Sequence, residues 1–296
     1  MKVAFIGCVE TSHAAFTQLL SHHVEGEIEL VALITKSQSV FNSDYASLVE
    51  LAQEFGIETT FFVNDIDYDK ALSNKHIDML FCIGWSHIIP NRILHQVKKA
   101  AIGFHPAKLP SNRGRHPLIW ALALGLSETA SSFFLMEEKV DSGALVDQEI
   151  INISDTDYAR DLYNKVLLTI PRQISKIVTG YCDNSIESQP QIAASSSYWR
   201  KRSAIDGAID WRMQAKDIYN LIRALSSPYP GATFLKSGEI YTVTRATHHT
   251  EMVALNLEPG KILNTTRTQV HVKCSGTSSL WLENIDGSQF TVGEYL

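Results

Sequence analysis

"VAFIGCVETSHAAFTQLLSHHVEGEIELVALIT", residues 3–35, decides the fold. Val3 to Gly7 reads as a buried strand, "TSHAAFTQLLSHH" as a helix capped by Thr11 or Ser12, and "IELVALIT" as a second strand. The pattern then repeats: "YASLVELAQEF" is a helix stopped by Gly56, "IETTFFV" a strand, "DYDKALSNK" a short helix and "IDMLFCIGW" a fully apolar strand. Strands alternating with helices at these lengths predict an α/β fold, a Rossmann-like, mostly parallel sheet with helices on both faces.

Farther along, "PLIWALALGL" is helical, "TASSFFLM" and "GALVDQEIIN" are extended, and "DYARDLYNKVLLTIPRQISKIVTGY" carries a long helical apolar stripe that closes the first domain. The Ser-, Gln- and Pro-containing stretch that follows lacks apolar periodicity and reads as a linker. The expected organisation is a catalytic domain over 1–183, a linker over 184–204, and a C-terminal domain over 205–296. The last consists of one helix, "QAKDIYNLIRALS", and short strands that suggest a small β-barrel (OB-like) or a β-sandwich.

Composition narrows the function classes. A chain of 296 residues with 45% hydrophobic and 20% charged residues has ample core for folding. Its net charge of −6 and lack of any Lys/Arg run disfavour an extended nucleic-acid surface. Four scattered cysteines, with no C-x-x-C pair, fit neither a disulfide scaffold nor a zinc knuckle, so no metal is expected. No apolar run is long enough for a membrane span, and the start lacks a signal-peptide core, so a cytoplasmic location is expected. A homodimer is the base-rate expectation for an assembly.

Three stretches carry candidate chemistry. The turn "IGCVETS" places Gly7 after the first strand and Thr11 and Ser12 near a helix N-terminus. An anion could sit there, or the turn could be a plain one, because the G-x-G-x-x-G fingerprint is absent. "CIGWSHIIP" runs a central strand out into Trp85, Ser86 and His87, where open parallel sheets bind ligands. In "AIGFHPAKLPSNRGRHP", residues 101–117, His105 ends a strand and Pro106, Pro110 and Pro117 restrict the loop behind it. A lone histidine is more often structural. A partner is available in Asp141, in the Val-Asp-Ser-Gly turn that Gly143 allows to bend tightly.

His105, the Pro/Arg-Gly loop and the Val-Asp-Ser-Gly turn, in that order, together with "IDGAIDWRMQAKDIYNLIRALSSPYPGATF" and "LEPGKIL", resemble the formyltransferases that use 10-formyltetrahydrofolate. The similarity is to the two-domain methionyl-tRNA and nucleotide-sugar N-formyltransferases and covers nearly the whole chain. It implies transfer of a formyl group from folate N10 to a primary amine. By resemblance His105 stabilises the developing oxyanion and moves protons, with Asp141 orienting it. Folate would lie along Cys82, Ile83, Trp85, Ser86, His87 and Ile88 and along Met136, Val140 and Asp141. The family usually has Asn two positions before the histidine; this chain has Gly103, and Asn112 is the first candidate substitute.

The acidic charge favours a nucleotide-linked amino sugar, used in surface glycan synthesis, over tRNA. Its contacts are expected from Gly7, Thr11, Ser12, His13, Lys108, Arg113, Gly114 and the turn residue Tyr229. The competing readings are a methionyl-tRNA formyltransferase and, because of Gly103, a noncatalytic folate- or nucleotide-binding relative. An unrelated nucleotide-dependent oxidoreductase is disfavoured by the missing glycine fingerprint.

Overall fold

The structure is a computed structural model that describes residues 1–38, 43–248 and 251–296. It divides into two compact units. The first comprises Met1–Pro117, Thr129–Ile151 and Asn164–Trp199, and the second Leu118–Glu128, Asn152–Tyr163 and Arg200–Leu296.

The opening stretch forms β1 (Lys2–Ile6), α1 (Glu10–Val24) and β2 (Glu29–Thr35). There follow α2 (Val49–Glu54), β3 (Thr59–Phe61), α3 (Ile66–Leu72), β4 (Met79–Cys82), α4 (Asn91–Leu94) and β5 (Ala100–His105). Next come β6 (Arg113–Gly114), α5 (Pro117–Ala123), β7 (Glu128–Leu135), β8 (Leu145–Asn152) and α6 (Ala159–Cys182). The seven-stranded sheet has the order β3-β2-β1-β4-β5-β7-β8. Its first five strands pair in parallel, and β7 runs antiparallel to β5.

This sheet is buried on both faces, which explains the unbroken apolar runs of its central strands. Ala4, Ile6, Ile34, Leu80 and Cys82 pack with Tyr68, Leu72 and Ile93 in one core cluster. Phe5, which alternates with them, stacks on Phe16 of α1 at 5.2 Å. Each fully buried Ile, Leu or Phe contributes about 1.5–3 kcal/mol relative to an exposed one. The long helix buries Leu162, Val166, Ile170, Ile174 and Ile177, a stripe at helical spacing.

Two local expectations change. Helix α1 begins at Glu10, with Val9 as its N-cap, so Ser12 lies inside the first turn rather than capping it. The stretch expected to be a linker carries β9 (Tyr198–Trp199), which pairs in parallel with β6. Leu145 and Gln189 also exchange backbone hydrogen bonds of 2.7 and 2.8 Å. A composition poor in apolar residues says only that no core forms there; it does not prevent polar pinning.

The second unit contains α7 (Ala215–Leu225), a hairpin of β10 (Ala232–Lys236) and β11 (Glu239–Val243), and four further strands. These are β12 (Arg245–His248), β13 (Ile262–Thr265), β14 (Gln269–Lys273) and β15 (Ser279–Glu283), in an antiparallel sheet ordered β12-β15-β14-β13. Among the described residues, no helix is long and apolar enough to cross a membrane.

Candidate active site

Strand order reverses between β1 and β4, the point at which open α/β sheets usually form a ligand crevice. Here the turn after β1 is bonded to the segment after β4. Ser12 Oγ accepts from the backbone N–H groups of Cys8 (3.0 Å) and Val9 (3.1 Å) and donates to Ile83 O at 2.6 Å. The N–H of Gly7 donates to Ile34 O, and that of Glu10 to Asp44 O. Gly7 and Gly84 permit this contact: a Cβ on Gly7 would meet Ile83 O and Ser12 Oγ at 2.5 Å, and one on Gly84 would meet Val9 Cγ2 at 2.2 Å.

The turn is therefore a poor anion site. Thr11 and Ser12 are buried, four consecutive N–H donors are engaged, and the Glu10 carboxylate stands in the first helical turn. His13 is exposed beside them. The expected phosphate contacts from Gly7, Thr11, Ser12 and His13 are not supported by this geometry. Spacing alone marked a helix N-terminus without showing that its donors were already occupied.

The next strand end differs. β5 delivers His105, 5% exposed, at the carboxyl edge of the sheet, and the turn after β7 delivers Asp141, 9% exposed. His105 Nδ1 lies 3.8 Å from Asp141 Oδ2, beyond a hydrogen bond but close enough for strong charge interaction. Nε2 faces Asn112 O at 2.8 Å. Both ring nitrogens thus face acceptors. A neutral imidazole has one N–H to give, and the shorter contact, Nε2 to Asn112 O, is where it is used.

The chain around this pair is held tightly. Asp141 has φ 58° and Asn112 φ 65°, left-handed conformations that Asp and Asn tolerate better than most residues. Gly143 lets β7 and its turn approach closely, since a Cβ there would stand 1.8 Å from Leu135 O. Asp141 Oδ2 accepts from Gly114 N–H at 3.1 Å. Asn112 meets the imidazole through its carbonyl, while its side-chain Oδ1 lies 3.4 Å from Ser197 Oγ.

Gly103 has a definite neighbour. It pairs with Phe134 across β5 and β7, and a Cβ at 103 would meet that ring at 2.7 Å and Met136 Cγ at 3.1 Å. The volume an Asn side chain would need is occupied by an aromatic ring. The register of the β5–β7 pair is what relates the two residues, and no motif in the sequence displays it.

Along the expected folate wall, Trp85, Ser86 and Met136 are half-buried, whereas His87, Ile88 and Val140 are exposed. Cys82 and Ile83 are buried, and burial pushes the Cys82 thiol up to about 12, so it is no nucleophile at neutral pH. Trp85 belongs to an aromatic group absent from the sequence reading. Its Nε1 donates to Tyr68 Oη at 2.8 Å, Phe62 packs 5.1 Å from it, and Lys36 Nζ lies 5.5 Å over its ring. Phe62 and Trp85 pack 4.7 and 5.5 Å from the His87 ring, and this partial desolvation first, then the cations Lys36 and Arg115, hold it below its ordinary pKa.

Two expected substrate residues serve as structure instead. Arg113 is 3% exposed and bonded to Gln191 and Tyr198, and Gly114 gives its N–H to Asp141. Lys108 is exposed on the same loop. Tyr229 lies in the second unit, in a turn where its N–H donates to Ser226 O. Among the described residues one trio, His22, Glu25 and Glu27, brings metal-type ligand atoms within 4.8 Å of one another. Both nitrogens of His22 are already engaged, by Glu27 and Ser175.

Comparison with known proteins identifies the fold and the family. WlaRD, a sugar 3N-formyl transferase solved with dTDP and 5-N-formyl-THF, is similar over 97% of this chain and 98% of its own, with 16% identity and a TM-score of 0.73. An N-formyltransferase from Helicobacter canadensis, solved with folinic acid and dTDP-3-aminofucose, matches 96% of this chain and 100% of its own, with 18% identity and a TM-score of 0.75. HypX from Aquifex aeolicus, solved with tetrahydrofolic acid, matches 95% of this chain and 43% of its own, with 15% identity and a TM-score of 0.67. These likenesses establish the fold. The family model "Formyl transferase" matches residues 1–177, and "Formyl transferase, C-terminal domain" matches residues 201–292. The chain belongs to the formyl transferase family.

Proposed function

We propose that this formyltransferase moves the formyl group of 10-formyltetrahydrofolate to the primary amine of a nucleotide-linked amino sugar. The observation that carries the reading is the buried His105–Asp141 pair, 3.8 Å apart, at the carboxyl edge of a formyl transferase sheet. The amine attacks the formyl carbon, negative charge builds on the formyl oxygen, the C–N10 bond then breaks, and the proton given up by the new ammonium ends on N10 of the departing tetrahydrofolate. A histidine N–H can stabilise that oxygen, and the adjacent carboxylate can stabilise the resulting imidazolium. Acid–base help of this kind contributes roughly 10² to 10⁴ in rate.

Folate fits along Trp85, Ser86, His87, Ile88, Met136 and Val140, where the wall is apolar and partly open. Two solved relatives of this fold carry folates and dTDP or a dTDP-sugar, which supports the choice of both ligands. Because the N–H groups of Gly7 to Glu10 are engaged internally, the acceptor's diphosphate is better served by the exposed Lys108 and Arg115 of the pinned loop. The amide expected before the histidine has no room beside Phe134. His105 therefore carries the oxyanion, and its Nε2–H leaves Asn112 O, or is shared with it, when the formyl oxygen arrives.

The test is an assay of 10-formyltetrahydrofolate with a panel of UDP- and dTDP-amino sugars, reading tetrahydrofolate release and the formamide by mass. Turnover with one sugar nucleotide and none with methionyl-tRNA is expected. No turnover with any sugar, alongside retained folinic acid binding, would refute the reading in favour of a noncatalytic relative.

A further inference from the structure

The stretch between the two family domains holds a residue that the chemistry above does not use. Gln191 sits in a segment of mixed polar composition, yet all four hydrogen-bonding positions of its amide are filled. Its Oε1 accepts from Arg113 Nε at 3.2 Å and Nη2 at 2.6 Å. Its Nε2 donates to Asp141 O at 3.0 Å and Gly143 O at 2.7 Å. The guanidinium on one side and two carbonyls on the other leave one orientation of the amide that satisfies every partner.

We propose that Gln191 is a positioning residue for formyl transfer, holding the Asp141 turn so that its carboxylate faces His105. The proposal rests on the role assigned to the His105–Asp141 pair. Asp141 lies at φ 58°, a conformation that costs free energy unless its surroundings over-determine it. Gln191 grips the carbonyls of Asp141 and Gly143, on either side of Ser142. Gly114 N–H also holds the carboxylate, donating to Oδ2 at 3.1 Å.

Arg113 transmits this grip to the histidine loop. It is buried, and its Nη1 donates to Tyr198 Oη at 2.9 Å while its other nitrogens meet Gln191. Arg113 opens β6, pairs with Tyr198 in β9, and follows Asn112, whose carbonyl receives His105 Nε2. Ser197 Oγ accepts from Asn112 N–H at 2.9 Å, and Ser195 O accepts from Ser111 Oγ at 3.1 Å. A single amide therefore links the loop that sets Nε2 to the turn that faces Nδ1. Misplacement of a catalytic group by about 1 Å can cost on the order of 10²-fold in rate.

The experiment compares Gln191→Glu, which keeps an acceptor for Arg113 but removes both donors to the turn, with Gln191→Met, which removes everything. Each is made in the full chain, alone and with Asp141→Asn. Folinic acid affinity, kcat and KM with the sugar nucleotide found in the panel, and the ¹⁵N shifts of the His105 ring are measured. The expected result is a kcat lower by roughly 10- to 100-fold in both single variants. Folinic acid affinity and KM should stay near wild type, the ring ¹⁵N shifts should change, and no further loss should appear in the Asp141→Asn background.

Wild-type kcat and ring shifts in folded Gln191→Glu protein would overturn the proposal, as would losses that simply add to those of Asp141→Asn. Gln191→Glu keeps the assay decisive should Gln191→Met fail to fold. The ring shifts need no acceptor, so they judge the positioning even where no sugar in the panel is formylated.

Discussion

The turn after β1 and the loop after β5 leave the same carboxyl edge of one sheet, and the sequence marks both as ligand-facing. After β1, the polar groups are consumed by the chain: one serine hydroxyl joins three backbone groups of two neighbouring loops. After β5, an imidazole and a carboxylate are buried side by side without a hydrogen bond between them. The first arrangement stabilises a fold. The second holds two ionisable side chains within 3.8 Å of each other. The two differ in chemistry: the β1 turn matches backbone groups with a neutral hydroxyl, whereas the β5 edge buries two ionisable side chains beside each other.

The largest expected effect breaks the reactive side. Asp141→Asn keeps a residue suited to φ 58° and an acceptor for Gly114 N–H, but removes the charge facing His105. It should lower kcat by about 10²-fold or more at unchanged stability, read by steady-state assay and denaturant unfolding. Next, Gly103→Asn should destabilise by about 1–3 kcal/mol through overlap with Phe134 and should not raise kcat. A faster enzyme of unaltered stability would show that the missing amide can be accommodated after all.

On the structural side, Ser12→Ala strands the N–H groups of Cys8 and Val9, a loss of about 1–3 kcal/mol in unfolding free energy. KM for the acceptor should not move; a large rise would restore the β1 turn as the phosphate site. The smallest effect concerns His87, whose pKa lies below its ordinary 6.5 because of burial first and then Lys36 and Arg115. The folded ring binds fewer protons than the unfolded one, so its contribution to stability is present above pH 6.5 and is lost as pH falls through the lowered value. Lys36→Met removes one cation, and the His87 titration midpoint followed by NMR should rise toward 6.5.

Much of this was legible in the chain itself. Apolar runs separated by helical stripes gave the order of strands and helices through α6, and a histidine followed by three prolines marked the β5 loop. Asp141 was legible as part of a Val-Asp-Ser-Gly turn and through the family resemblance; the close approach of Gly143 to Leu135 O shows only in the structure. The wiring was not. Ser12 and Ile83 are brought together by strand order, Gly103 and Phe134 by antiparallel register, and Gln191 reaches Asp141 across fifty positions of sequence. Such contacts leave no periodic trace, and a polar segment pinned by hydrogen bonds has the composition of a free linker. Helix α2 is shorter than the stretch "YASLVELAQEF" predicts, since only Val49–Glu54 is helical.

The central claim is that His105, at the β5 edge, carries the chemistry of formyl transfer. Its most direct test is the single-turnover rate of His105→Ala with 10-formyltetrahydrofolate and the accepted amino sugar, measured beside folinic acid affinity. A transfer rate lower by roughly 10² to 10⁴, with folinic acid still bound, is the expected result. Transfer at the wild-type rate would contradict the account.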